Sequence, residues 1–304
     1  MFHSACLEQA RKEGETVRIS YLARKEVLVA FCFLAPSLIG FALFYLIPFG
    51  QSIVFSFENP SGEAGLSLAN YQSLLASSSF QKAAGNTFWF TIIGVPILIL
   101  LSLALAMLLN KRVFFRNWLR TSYVLPLVVP VASIVLVWQI LFDWNGFFNH
   151  VLEWVGIERI DWMKSEWAQG VIIFIYVWKN IGYNVVLFLA GLQNIPDQYY
   201  EIANLEGASW ARKHQITLIY LIPTGFLVML MSILNSFKVF REIYLVAGDY
   251  PHDSIYMLQH YMNNMFLSLD IQKLSAAAFL MVLCILVIVL MLFRVEHKFR
   301  SFME

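Results

Sequence analysis

Six apolar stretches, each long enough to cross about 30 Å of hydrocarbon as a helix, decide what this chain can fold into. They run near Val27 to Phe55, Asn86 to Leu109, Trp118 to Phe142, Trp167 to Leu192, Ile216 to Phe240 and Lys273 to Phe293. Inside a bilayer no water pairs with backbone N–H and C=O groups, so a single apolar run must satisfy them within itself, as an α-helix. With 59% apolar and 13% charged residues among 304, a soluble globular domain is excluded. The expected fold class is an all-α membrane protein of six transmembrane helices. One transmembrane domain over 27–293 lies between polar tails at 1–26 and 294–304.

An even number of spans puts both tails on one side, and the basic residues choose which. If the N-terminus is cytoplasmic, Arg11, Lys12, Arg18, Arg24, Lys25, Lys111, Arg112, Arg116, Arg120, Arg212, Lys213, Arg294, Lys298 and Arg300 lie inside. Lys82, Arg159, Lys164, Lys238, Arg241 and Lys273 then lie outside, and Lys179 falls within a span. That bias favours cytoplasmic termini. A net charge of +1 gives no reason to expect nucleic acid; the partner surface is membrane lipid. The N-terminal segment lacks a short apolar core followed by a small-residue cleavage site, so no cleaved signal peptide is expected. The short link Asn110 to Asn117 demands an antiparallel hairpin, and Pro126 and Pro130 mark a kink in the third span. Trp144, Trp154, Trp162 and Trp167 suit a membrane interface.

The longest polar interruption that still reads as folded is 195–215. Pro196 and Asp197 begin a short helix, the aspartate oxygen being placed to accept a first-turn amide. Gly207 supplies the left-handed position that ends it, and Ser209 caps a second helix running into the fifth span. The short helix displays Tyr200, Ile202 and Leu205, with Trp210 beyond the turn, which calls for a cover from outside the chain. The other reading is an ordinary loop packed on its own bundle.

Polar groups within spans are the candidates for a solute path, because an ionised side chain at mid-membrane costs roughly 2.5–3.5 kcal/mol on insertion scales. Tyr176, Lys179, Asn180 and Tyr183 cluster in the fourth span with Asn184, and Ser232, Asn235 and Ser236 in the fifth. Facing one another, these helices would line one polar cavity; helix-to-helix hydrogen bonds are the competing reading. No Gly-x-x-x-x-Gly-Lys-Ser/Thr loop is present, so energy must come from another polypeptide. His3, His150, His214, His252, His260 and His297 lack metal-ligand spacing, and Asp249 and Asp253 around Pro251 read as a polar turn rather than a cation site. Cys6, Cys32 and Cys284 share no oxidising compartment, so no disulfide is expected.

Glu201-Ile202-Ala203 followed by Gly207-Ala208 and Pro223, preceded by Ala190-Gly191-Leu192-Gln193 and Ile195-Pro196, resembles the EAA loop of permease subunits in binding-protein-dependent ABC importers, in its sugar-permease form. Leu34-Ala35-Pro36, Asn70-Tyr71, Asn86-Thr87, Leu108-Leu109-Asn110-Lys111, Leu125-Pro126, Gly146-Phe147-Phe148-Asn149 and Ser275-Ala276-Ala277 extend the resemblance over most of the chain. It departs at Ile202, Glu206 and Ile219, and at Gly248-Asp249-Tyr250-Pro251 in place of Gly-Gly-Pro. The resemblance implies a multi-pass permease of the bacterial inner membrane, not an enzyme, pairing with a second permease, two ATPase subunits and an extracytoplasmic solute-binding protein. The chain itself would bind no cofactor, ATP-Mg belonging to the ATPases. It also implies coupling through Tyr200, Glu201, Ala203, Glu206, Gly207 and Ala208, and a substrate path at Tyr176, Lys179, Asn180, Tyr183, Ser232, Asn235, Ser236 and Val239. The expected solute is a sugar. A glycerol phosphate or acidic oligosaccharide, needing extra cations near Lys179, is the alternative, and a secondary transporter or channel is the rival of another class.

Overall fold

The computed structural model describes residues 27, 29–59, 65–110 and 129–303. The N-terminal tail, Cys6, the short link after Asn110, Arg120 and Pro126 lie outside them.

The first helix, α1 (Val29–Phe57), belongs to a separate compact unit, Met1–Ser56. Pro48 has no N–H to offer the Phe44 carbonyl, and the turn before it widens into π-helix at Ala42–Leu46, with Ile47 N donating to Ala42 O. Most of its side chains are apolar and exposed, Phe33 by 83% and Phe44 by 77%, as suits a face toward lipid or another chain.

The second unit begins at Phe57. After a short helix α2 (Ala69–Ala76) comes α3 (Ser78–Asn110), which at 1.5 Å per residue is about 50 Å long. It starts eight residues earlier than the apolar pattern implies. The extra turns are polar because they hold a loop: Lys82 pairs with Asp253 at 2.7 Å, and Asn86 donates to the Asp253 and Tyr256 carbonyls. Next come α4 (Val131–Phe142), α5 (Phe147–Trp154) and α6 (Trp167–Gln193). Then follow α7 (Asp197–Leu205), α8 (Trp210–Phe237), α9 (Phe240–Ala247), α10 (Leu258–Leu267) and α11 (Ile271–Met303). The fifth span therefore breaks at Lys238 and resumes as α9, and residues 294–303, set apart above as a tail, continue α11. Among the described residues, six helical segments are long and apolar enough to cross a membrane.

Parallel α3 and α6 form the centre. Phe90 stands edge-on to Tyr176 with ring centroids 5.2 Å apart, and Leu98, Ile172, Ile175, Trp138 and Ile243 fill the core around them. Leu109, Leu192, Leu221 and Val228 close the α7 end, and Phe80, Tyr261 and Ala276 the opposite end. At the α7 end α6 and α8 cross closely at Gly191, where a Cβ would lie 2.5 Å from Thr224 Oγ1 and 2.9 Å from a Leu221 methyl.

The segment between α4 and α6 is organised by one amide. Asn149 is fully buried; its Nδ2 donates to the carbonyls of Asp143, Trp144 and Ile160, and its Oδ1 accepts from Ile160 N and Trp162 Nε1. Asn149→Asp would set a carboxylate against three carbonyl oxygens. At ~1–3 kcal/mol per orphaned buried group, the purified variant should lose well over 3 kcal/mol of stability, read as a large fall in its melting temperature. Trp162 packs on Phe142 and Phe148 instead of facing lipid, whereas Trp154 and Trp167 are exposed.

His260, fully buried in α10, accepts from Met257 N through Nδ1, and burial holds its pKa down at about 4. The unfolded chain, with an ordinary value near 6.5, binds more protons in this window. Stability is therefore present above about 6.5 and lost as pH falls toward 4. Melting temperature measured from pH 7 to 5 should drop in the wild type and drop less in His260→Gln.

Candidate functional site

The α7 turn is built by hydrogen bonds rather than by side-chain caps. Pro196 occupies the cap position, and Asp197 sits inside the first turn, where its charge favours the helix N-terminus. Ser209 precedes α8 with extended backbone but makes no cap hydrogen bond, so both expected caps are corrected. Gly207 adopts φ +70; Ala208 N donates to Ala203 O at 2.8 Å and Gly207 N to Asn204 O at 3.1 Å, a Schellman ending.

Tyr200 and Ala203 turn inward, against the expectation that Tyr200 is displayed. Thr217 donates to Lys213 O, so its oxygen accepts from the Tyr200 hydroxyl at 2.8 Å, and Ala203 is buried beside it. Tyr199 and Tyr220 rings lie 4.7 Å apart. The outer face carries Glu201, Ile202, Leu205 and Glu206, with Trp210 next to it; Leu205 is 88% and Trp210 70% exposed. A helix clipped to α8 on one face thus leaves an apolar, acid-edged face uncovered.

At the other end of α8, Tyr176, Lys179, Asn180 and Asn235 line a cavity of about 90 Å³ together with Lys238, Val239, Arg241 and Glu242. Lys179 Nζ is ion-paired with Glu242 Oε1, a carboxylate only 4% exposed whose Oε2 has no hydrogen-bond partner. Tyr183, Ser232 and Ser236 do not line it. Ser232 instead joins helices: its carbonyl accepts from Tyr176 Oη at 2.7 Å and its hydroxyl from Asn184 at 2.8 Å. Ser236 donates to Ile233 O and so accepts from Thr91 at 2.9 Å. Glu242 was missed by sequence reasoning. A lysine inside a span needs a counter-charge, and α9, which follows the break at Lys238, supplies it. Of the two aspartates flanking Pro251, Asp249 accepts from Asn263 and Asp253 pairs with Lys82.

Residues 99–301 match the family model described as binding-protein-dependent transport system inner membrane component. The chain belongs to that family. It is 30% identical over 235 residues to the arabinooligosaccharides transport system permease protein AraP of Halalkalibacterium halodurans, covering 75% of this chain and 74% of that one. It is also 30% identical to the sulfoquinovosyl glycerol transport system permease protein SmoG of Agrobacterium fabrum, over 88% of this chain and 91% of that one. The fold matches a chain of a bacterial ABC transporter involved in import of the acidic polysaccharide alginate, with TM-score 0.79 at 21% identity, covering 90% of this chain and 96% of that chain. This family member is therefore an inner-membrane permease of a transport system that depends on a binding protein.

Proposed function

We propose that the chain carries a saccharide across the inner membrane, with cytoplasmic termini, as one of two permeases driven by two ATPase subunits that hold ATP-Mg. The observation that carries this reading is the uncovered α7 face, held to α8 by the Tyr200–Thr217 bond. Relatives named for arabinooligosaccharide and sulfoquinovosyl glycerol transport support the solute class.

Force applied to α7 has a short route to the cavity. From Thr217 to Asn235, α8 is one helix, about 27 Å long at 1.5 Å per residue. Ile202 and Leu205 would seat in an apolar groove of the ATPase, Glu201 and Glu206 pairing with basic residues at its rim. Movement of α7 would tilt α8 about the Gly191 crossing and shift Ser232 and Asn235 against Tyr176 and Asn180. A cavity of about 90 Å³ holds a few waters and no pyranose, against the ~300 Å³ or more of ligand pockets. The Lys179–Glu242 pair is then the closed outer end, and a sugar requires both its opening and a facing surface from the second permease.

One observation favours an acidic saccharide as the second reading. Lys238 and Arg241 line the same cavity, while its sole carboxylate, Glu242, is already paired with Lys179. ATP-dependent uptake into vesicles holding the full complex, assayed with neutral and uronic trisaccharides, tests both; uptake of neither class rejects the saccharide reading. Gly207→Pro, which cannot adopt φ +70, should lower uptake more than about tenfold while the chain remains in the membrane, as quantified by immunoblot.

A further inference from the structure

A second, larger cavity lies at the opposite end of the bundle from α7, where the turn between α2 and α3 meets α10 and the start of α11. It has a volume of about 400 Å³ and shares no lining residue with the Lys179 cavity. Its walls are hydroxyls and aromatic rings: Ser79, Tyr250, Tyr256 and Tyr261, with Asn264 and Lys273.

We propose that this cavity is a saccharide subsite, holding one or two sugar units before they enter the membrane or the end of a longer chain that has not yet entered. The proposal rests on the saccharide reading of the transported solute. Asn264 is 8% exposed, donates through Nδ2 to Tyr256 Oη at 3.1 Å, and leaves its Oδ1 without a hydrogen-bond partner. A buried amide oxygen of this kind is costly until something donates to it, and a sugar hydroxyl is a donor of the right kind. Tyr250 holds its ring 80% exposed, a flat apolar face with adjacent polar groups, which is what the C–H face of a sugar ring packs on. Tyr261, by contrast, is fixed edge-on to Phe80 with centroids 5.5 Å apart and forms a rigid wall.

Charge narrows the ligand class. The one cation on the wall, Lys273, is paired with Asp270 at 2.9 Å, so the cavity offers hydroxyls, an amide and rings but no free charge. That composition suits a polyol and gives no special hold on a phosphate or a cation. The size falls within the ~300–1,000 Å³ of small-molecule sites.

The test uses the full chain in lipid nanodiscs and saturation-transfer NMR with three probes: a neutral hexose trisaccharide, a neutral pentose trisaccharide and a hexuronate trisaccharide. In parallel, cells making the complete transporter are assayed for uptake of the same three. At least one probe that cells take up should show saturation transfer to the wild-type chain, reduced at least fivefold in both Asn264→Leu and Tyr250→Ala. Tyr250 is so exposed that its loss leaves the fold intact, so the second variant keeps the result interpretable if the first misfolds. Transfer unchanged in Tyr250→Ala, or absent from the wild-type chain for a sugar that cells import, overturns the subsite and leaves the importer reading standing. Uptake of none of the probes overturns the saccharide reading and the subsite with it.

Discussion

Glu242→Ala should abolish uptake, by at least about a hundredfold, and sharply destabilise the purified chain. Removing one member of a buried pair leaves the other charged and unpaired, at a cost of roughly 3–5 kcal/mol. Here the survivor is Lys179, three-quarters buried on α6 beside Asn180 and Tyr176. The double variant Lys179→Met/Glu242→Leu removes both charges and should recover most of the stability, because an apolar pair of similar volume is often neutral or better. Uptake should not recover with it if the pair closes the outer end of the path. Melting temperature and uptake measured on all four forms separate the two roles: stability and uptake rescued together would make the pair purely structural.

Gly191→Leu carries the other large effect. A Cβ alone would lie 2.5 Å from Thr224 Oγ1 and 3.1 Å from its Cβ, so the side chain has to push α6 and α8 apart. Overpacking typically costs about 1–3 kcal/mol, and a helix crossing has less room to relax than a flexible core, so the upper end is expected. Transport should fall further than stability does, since this crossing is where α8 would pivot. Thr224→Gly in the same chain should restore part of both. A Gly191→Leu protein of wild-type melting temperature and uptake would show that the crossing opens freely.

How much of this was legible beforehand follows from where each signal lives. The six spans were readable because hydrocarbon imposes a length and a composition on each one separately; their ends were not, because polar turns extend α3 where Lys82 and Asn86 hold the Asp253 loop, start α8 at Trp210 and carry α11 on to Met303. Gly207 was readable because only glycine takes φ +70 without cost, and its effect is local. Tyr200 was misread: helical spacing says that it shares a face with neighbours, and only the approach of Thr217 says that the face is inward. Tyr176, Lys179, Asn180 and Asn235 were named from polarity inside spans and meet at one cavity, but Ser232 and Ser236 were named on the same ground and serve as helix-to-helix bonds. Polarity marks a residue that needs a partner without saying whether the partner is solute or protein. Glu242 escaped because its pairing with Lys179 across the break at Lys238 is a tertiary contact that no local pattern records.

Docking of an ATPase on the outer face of α7 is open to a direct test by co-purification. The tagged chain, wild type and Leu205→Glu, is isolated from membranes of cells that also make the ATPase. Leu205 is 88% exposed, so the substitution leaves the chain folded while placing a charge at the centre of the apolar face. Wild type should retain the ATPase, and Leu205→Glu should lose it by at least about tenfold at equal amounts of inserted chain. Equal recovery of the ATPase with both forms would contradict it.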